Sequence, residues 1–363
     1  MTLPPRERWF MEETMNARQR VLGLLTRRPV DGPACFSGMG NVTTAGLERL
    51  ECSFPSVHAD AVKMADLAAT SFELFGYESA VVPFDLCVEA EALGCAINTY
   101  QDVPQLLYPT IRAKAIPRTE DMADFQVAAD FLERGRLPVV REALRRLRQG
   151  YGDRLAVGSY MLGPFTLAGQ LVELDQLFLL SLSDRRLVEE LLHKLTAAVI
   201  AVGLSYREAG ADFLTVREMG AATDILSPRA FQSLIQPCLR EVAASLPPPR
   251  VLHICGSTDK IVALMAECGF DAISVEPKNN VRASRELVPP ETLIFGNLDA
   301  FKLLVHGTPA QVTQAVEEAL EAGVDAVWPS CDIWPEAKVE NLDAMVAATR
   351  QRGAELWWRN HGS

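Results

Sequence analysis

Three side chains in this sequence have the types and spacing of a metal centre. His253 and Cys255 stand two apart in Val251-Leu252-His253-Ile254-Cys255-Gly256, and Cys331 follows 76 positions further on in Trp328-Pro329-Ser330-Cys331-Asp332. Residues two apart on a strand project to the same side, so His253 and Cys255 can reach one ion. One imidazole and two thiolates form a borderline-soft set suited to Zn2+. Three protein donors with a fourth position open is the pattern of catalytic zinc, whereas structural sites are closed by four. The competing reading is a satisfied core histidine and two small buried hydrophobes. It fits each residue singly and fits the three together poorly.

Carboxylates accompany this set. Asp85, Glu89 and Glu91 lie within seven residues in Pro83-Phe84-Asp85-Leu86-Cys87-Val88-Glu89-Ala90-Glu91, with Asp85 next to aromatic core. Glu218 closes Val216-Arg217-Glu218, where it is expected to be a displaceable ligand or an orienting group, with an ion pair to Arg217 or another basic side chain as the alternative. Asp85 and Glu218 are therefore the candidate catalytic carboxylates. Tyr160, Gly163 and Asn297 are the candidate cofactor contacts, since small or polar residues at strand ends leave room for a ligand. The other six cysteines read as packing residues. His58, His193, His306 and His361 read as surface or helix positions.

Such groups need a frame that gathers them. Short β-branched or aromatic runs recur at Ala34–Ser37, Ala80–Asp85, Ala156–Tyr160 and Phe213–Glu218. Four more follow at Val251–Ile254, Ala272–Glu276, Thr292–Asn297 and Ala326–Pro329. Helical periodicity fills the intervals, as in Arg185–Tyr206, where leucines 187, 191, 192 and 195 keep one face apolar. Thr308, Pro309 and Gly323 bracket a helix over Gln311–Ala322 as cap, first turn and terminator. Eight strand–helix units imply parallel pairing and a closed (β/α)8 barrel, in which chemistry gathers at the C-terminal ends of the strands. No Gly-x-Gly-x-x-Gly turn follows the first strand, which weighs against an open doubly wound sheet. Residues 1–32 are expected to form an N-terminal helical extension lying over the barrel rim. The barrel occupies 33–363, with a helical excursion near 101–150.

The bulk properties fit a soluble enzyme. Of 363 residues, 48% are apolar and 23% charged, ample for a large core. The net charge of −12 is spread along the chain and argues against nucleic-acid or anionic-membrane partners. No apolar stretch follows the charged N-terminus and no run reaches the length of a membrane span, so the expectation is a cytoplasmic protein whose eight cysteines are thiols or ligands.

These motifs resemble the uroporphyrinogen decarboxylase superfamily, and within it the zinc methyltransferases that act on methylcobamide and coenzyme M. The resemblance runs along nearly the whole chain. It rests on Asn16-Ala17-Arg18-Gln19-Arg20-Val21, Arg28-Pro29-Val30-Asp31, Pro83-Phe84-Asp85, Val88-Glu89-Ala90-Glu91-Ala92-Leu93-Gly94, Leu226-Ser227-Pro228 with Phe231 and Pro237, and His253-Ile254-Cys255-Gly256 with Cys331-Asp332-Ile333. It implies a (β/α)8 barrel, a zinc ion, and transfer of a methyl group from a methylcobamide, carried on a corrinoid protein, to a zinc-activated thiol such as coenzyme M. The alternative within the same branch is demethylation of a methoxylated or folate donor onto the corrinoid. Decarboxylation of a porphyrinogen is a further alternative that fits poorly. The arginine-rich loop of that enzyme is replaced by Phe36-Ser37-Gly38-Met39-Gly40-Asn41, and its Gly-His-Gly by Pro329-Ser330-Cys331-Asp332.

Overall fold

The strands recur where the β-branched runs predict them. In a computed structural model that describes residues 15–103 and 105–361, eight strands form one sheet: β1 (Ala34–Cys35), β2 (Ser79–Val82), β3 (Ala156–Leu162), β4 (Phe213–Arg217), β5 (Arg250–His253), β6 (Ala272–Ser274), β7 (Leu293–Leu298) and β8 (Ala326–Pro329). Their order is β1-β8-β7-β6-β5-β4-β3-β2, with parallel pairing throughout. The sheet curls until its two edges meet. There the Glu78 amide donates to the Cys35 carbonyl at 3.0 Å, the Cys35 amide to the Glu78 carboxylate at 2.8 Å, and the Ser37 amide to Ser79 Oγ at 3.1 Å. These bonds satisfy edge groups that burial would otherwise penalise. The result is the (β/α)8 barrel.

The barrel interior is a solid core. Phe36, Phe213, Phe295 and Trp328 are all buried and meet ring to ring, with Phe36 centroids 5.2–5.7 Å from the other three. Full burial of side chains of this size contributes about 1.5–3 kcal/mol each. Outside, the capped helix runs over Pro309–Ala322, with Thr308 and Gln311 in a reciprocal capping box and Gly323 at φ +103°. The long amphipathic helix extends over Arg185–Glu208, one turn's fraction beyond its expected end.

Two parts of the chain add detail to the expectation. The helix Ala17–Leu25 lies across the N-terminal end of the barrel, where Val21, Leu24 and Leu25 join the strand-start residues Ala34, Ala156, Phe213 and Ala326 in one apolar cluster. It therefore closes the end opposite the strand C-termini; the remainder of the expected extension, residues 1–14, lies outside the described residues. The stretch near 101–150 carries few helical residues before its crossover helix. It contains a hairpin of Ala96–Asn98 with Thr110–Ala113, then 3-10 turns at Thr119–Met122 and Phe131–Glu133, and then the helix Leu137–Tyr151. Pro109 and Pro117 break helical hydrogen bonding there. No single described helix is long and apolar enough to cross a membrane.

Candidate metal centre

Strand register builds the site. Arg217 on β4 pairs with His253 on β5, and His253 pairs with Ser274 on β6. Directly paired residues of parallel strands face the same way, so the three side chains form one row at the C-terminal mouth. Ser274 Oγ lies 3.0 Å from His253 Nδ1, which leaves Nε2 facing the mouth, 3.1 Å from Cys255 Sγ. Cys331, just past β8, brings its sulfur to 3.7 Å from that of Cys255. Gly256 turns the chain at φ +87° after the cysteine, and its amide donates to Glu276 Oε2 at 2.8 Å. A residue with a Cβ is strained at that φ.

The ligating atoms of His253, Cys255, Glu276 and Cys331 all lie within 4.8 Å of one another. The electrostatics fit a cation among them. Hydrogen bonding with the Cys331 sulfur, with burial, pushes the Cys255 thiol well above its ordinary value, because two thiolates this close repel without a counter-ion. Burial, with the nearby Arg217 charge, holds His253 well below the usual imidazole range, so the ring is neutral, as a ligand must be. Ser274 supplies the outer hydrogen bond that ligating imidazoles generally have.

The expected carboxylates behave differently. Glu276, which the sequence reading placed only as the last residue of a strand, joins the cluster. Glu218 does not. It is fully buried, but its carboxylate turns to the loop after β3, accepting from the amides of Phe165 at 3.0 Å and Thr166 at 2.7 Å and from Thr166 Oγ1 at 2.5 Å. Burial pushes it up to about 7 despite these bonds. Nor does Glu218 pair with Arg217, whose guanidinium makes a two-pronged bridge to Asp332 at 3.0 and 2.7 Å.

Asp85 ends up in a buried ionic knot. Arg136 reaches both its oxygens at 2.6 and 3.0 Å, His58 Nδ1 lies 3.0 Å from Oδ2, and the Cys87 amide donates to Oδ1 at 3.0 Å. Burial opposes its ionisation, but His58 and the Arg136 charge hold it well below the usual carboxylate range. His58 closes the 3-10 turn Phe54–His58, so it takes the helix position expected but not a surface one: it is 2% exposed, its ring packed against Phe54, Phe84 and Tyr108 and bonded to Asp85. His193 and His306 are exposed.

The three candidate cofactor contacts are mostly internal. Tyr160 is fully buried, its hydroxyl donating to the Asp85 carbonyl at 2.8 Å and its ring 4.8 Å beneath the Arg217 guanidinium. Gly163 is a packing requirement: a Cβ there would stand 2.4 Å from Glu218 Oε2. Asn297 is half-buried at the end of β7, its amide 3.3 Å from the Asn279 carbonyl.

The site missed in the sequence, apart from Glu276, is the set of arginines. Arg136 carried no local signal, since its partner Asp85 lies 51 positions away. Arg217 was legible as a strand-end residue, but its Asp332 partner lies across the barrel.

Comparison with known proteins places the chain in a family. The uroporphyrinogen decarboxylase (URO-D) family model matches residues 16–352. A methylcobamide:CoM methyltransferase from Methanosarcina barkeri is 33% identical over 91% of this chain and 96% of its own length. A methylated-thiol–coenzyme M methyltransferase from Methanosarcina mazei is 30% identical over 94% of this chain and 91% of its own. The solved structure of a methyltransferase from Methanosarcina mazei superposes with a TM-score of 0.88 at 32% identity, covering 94% of this chain and 99% of that one. The chain is a member of the uroporphyrinogen decarboxylase family, and an enzyme of its methyltransferase branch.

Proposed function

We propose that this protein transfers a methyl group from a methylcobamide, presented by a corrinoid protein, to a small thiol held at a zinc ion. The observation that carries the reading is the convergence of His253, Cys255, Glu276 and Cys331 at the barrel mouth. Relatives named for methylcobamide and coenzyme M support the donor and the class of acceptor.

When bound, zinc supplies a soft Lewis-acid centre at which a thiol ionises near neutral pH. The protein's part is to fix the donors. Cys255 and Cys331 provide two charged sulfurs that keep the centre electron-rich. His253 is oriented by Ser274. Glu276 would be the one oxygen donor and the poorest match to a borderline-soft ion, and so the donor most readily displaced by a sulfur ligand. Its bond from the Gly256 amide gives the carboxylate a resting place nearby. The products are a methyl thioether and the demethylated cobamide. Asp85 and Glu218 serve as supports in this reading: Asp85 secures the β2 loop and Glu218 the turn after β3.

The test is metal analysis of purified protein together with methylcobalamin demethylation, followed by visible absorbance against a panel of thiols. We expect about one zinc per chain and thiol-dependent demethylation, both lost in Cys255→Ala/Cys331→Ala. Full zinc occupancy in that double variant overturns the ligand assignment. Turnover of a methoxylated or folate donor, with no transfer to any thiol, overturns the direction of transfer.

A further inference from the structure

The geometry points to Arg217 as a positioning residue that directs methylation away from the protein's own Cys331 and onto the substrate sulfur. This inference rests on the zinc reading above. A methyl electrophile at such a centre meets three sulfurs, those of Cys255, Cys331 and the substrate. All three would share the same ion, so something else must make them unequal.

Arg217 supplies the inequality. Its Nη2 lies 3.2 Å from Cys331 Sγ, and although its charge also reaches Cys255, none of its hydrogen bonds does. An N–H donated to a thiolate withdraws density from the sulfur lone pair that would attack carbon. The guanidinium is fixed for this purpose from three sides. The register of β4 with β5 sets it beside His253. The Asp332 carboxylate grips both its terminal nitrogens, and the Tyr160 ring lies against its face at 4.8 Å. The residue is 1% exposed, and Asp332 is the residue immediately after Cys331, so the clamp moves with the cysteine it protects. A planar fork holds both partners in one geometry, which a lysine ammonium does not.

In the unwanted reaction the Cys331 sulfur forms a bond to the methyl carbon while the carbon–leaving-group bond breaks. Methyl iodide models this, with iodide as the leaving group. The experiment treats zinc-loaded wild type and Arg217→Met with methyl iodide and maps S-methylation of Cys255 and Cys331 by peptide mass spectrometry, with zinc content measured alongside. A hydrogen bond to a charged group is worth enough to change the rate by about 10-fold or more. We expect Arg217→Met to keep its zinc, to gain that factor at Cys331, and to change little at Cys255. Arg217→Lys should restore part of the protection. The double variant Arg217→Met/Asp332→Asn removes both charges together, a change buried ion pairs often tolerate, and serves if the single variant does not fold. Equal acceleration at both cysteines, or none at Cys331 in zinc-loaded variant protein, overturns the role of Arg217 alone. Wild-type protein that takes up no zinc overturns the underlying reading of the site.

Discussion

Replacing Asp85 with asparagine separates a structural carboxylate from a reacting one. In the folded protein Asp85 is fully buried and receives hydrogen bonds from Arg136, His58 and the Cys87 amide. An asparagine keeps one acceptor and, in either orientation, turns a donor towards Arg136 and towards His58 or the Cys87 amide. The Arg136 charge, its side chain 7% exposed, is then left with Glu91 alone. Breaking a buried pair on one side costs about 3–5 kcal/mol. For a chain of this length that corresponds to a fall in melting temperature on the order of 5 °C. The pH dependence has a definite sign. Asp85 has its folded-state ionisation held below the unfolded value, so its contribution is present above about pH 4 and is lost as pH falls below that. Wild type and Asp85→Asn should therefore differ most in melting temperature at neutral pH, and the gap should begin to narrow only as pH falls below about 4. Calorimetry across that range, with zinc content and methyl transfer measured on the same samples, checks the argument. A variant that melts like wild type but has lost transfer more than 100-fold would show that Asp85 touches the reacting atoms, and the structural account of it would be wrong.

Other consequences follow from single contacts. Ser274→Ala removes the partner of His253 Nδ1 and should weaken zinc binding by about 10–100-fold, measured by competition with a chromophoric chelator, while leaving the fold intact. Burial pushes Glu89 up to about 7, with the Leu162 amide bonded to its Oε1 at 3.2 Å. A raised acid costs stability as pH rises from about 4.5 through 7, so Glu89→Gln should gain on wild type across that window, by up to about 3 kcal/mol. Melting curves at pH 5 and pH 8 decide it, and a difference that does not grow with pH refutes the burial argument.

The fold and the cluster of His253, Cys255 and Cys331 were readable in the chain because they depend on short-range pattern. β-Branched runs mark all eight strands to within a few residues, and Ala326–Pro329 to the residue. His253 ends one strand with Cys255 two residues further on, and Cys331 lies two residues past another, so a barrel alone brings them together. Glu276 was missed although it ends an expected strand: a lone glutamate beside proline carries no local mark of ligation. Glu218 was misplaced because a strand end fixes a Cα and leaves the side chain free to turn, here towards the Phe165 and Thr166 amides. His58 and Arg136 owe their burial to Asp85, from which they are 27 and 51 positions distant, a pairing that only the closed barrel creates. Gly163 reads as ligand space in the sequence and is packing space in the fold.

The central claim is that His253, Cys255 and Cys331 hold a zinc ion whose Glu276 donor gives way to a substrate thiol. Zinc-edge X-ray absorption on the protein with and without a small thiol such as coenzyme M tests it directly. The account predicts two sulfurs and two lighter donors at rest, and a third sulfur at about 2.3 Å replacing one light donor when the thiol is added. A shell that is unchanged by every thiol offered, or a resting shell without sulfur, would contradict it.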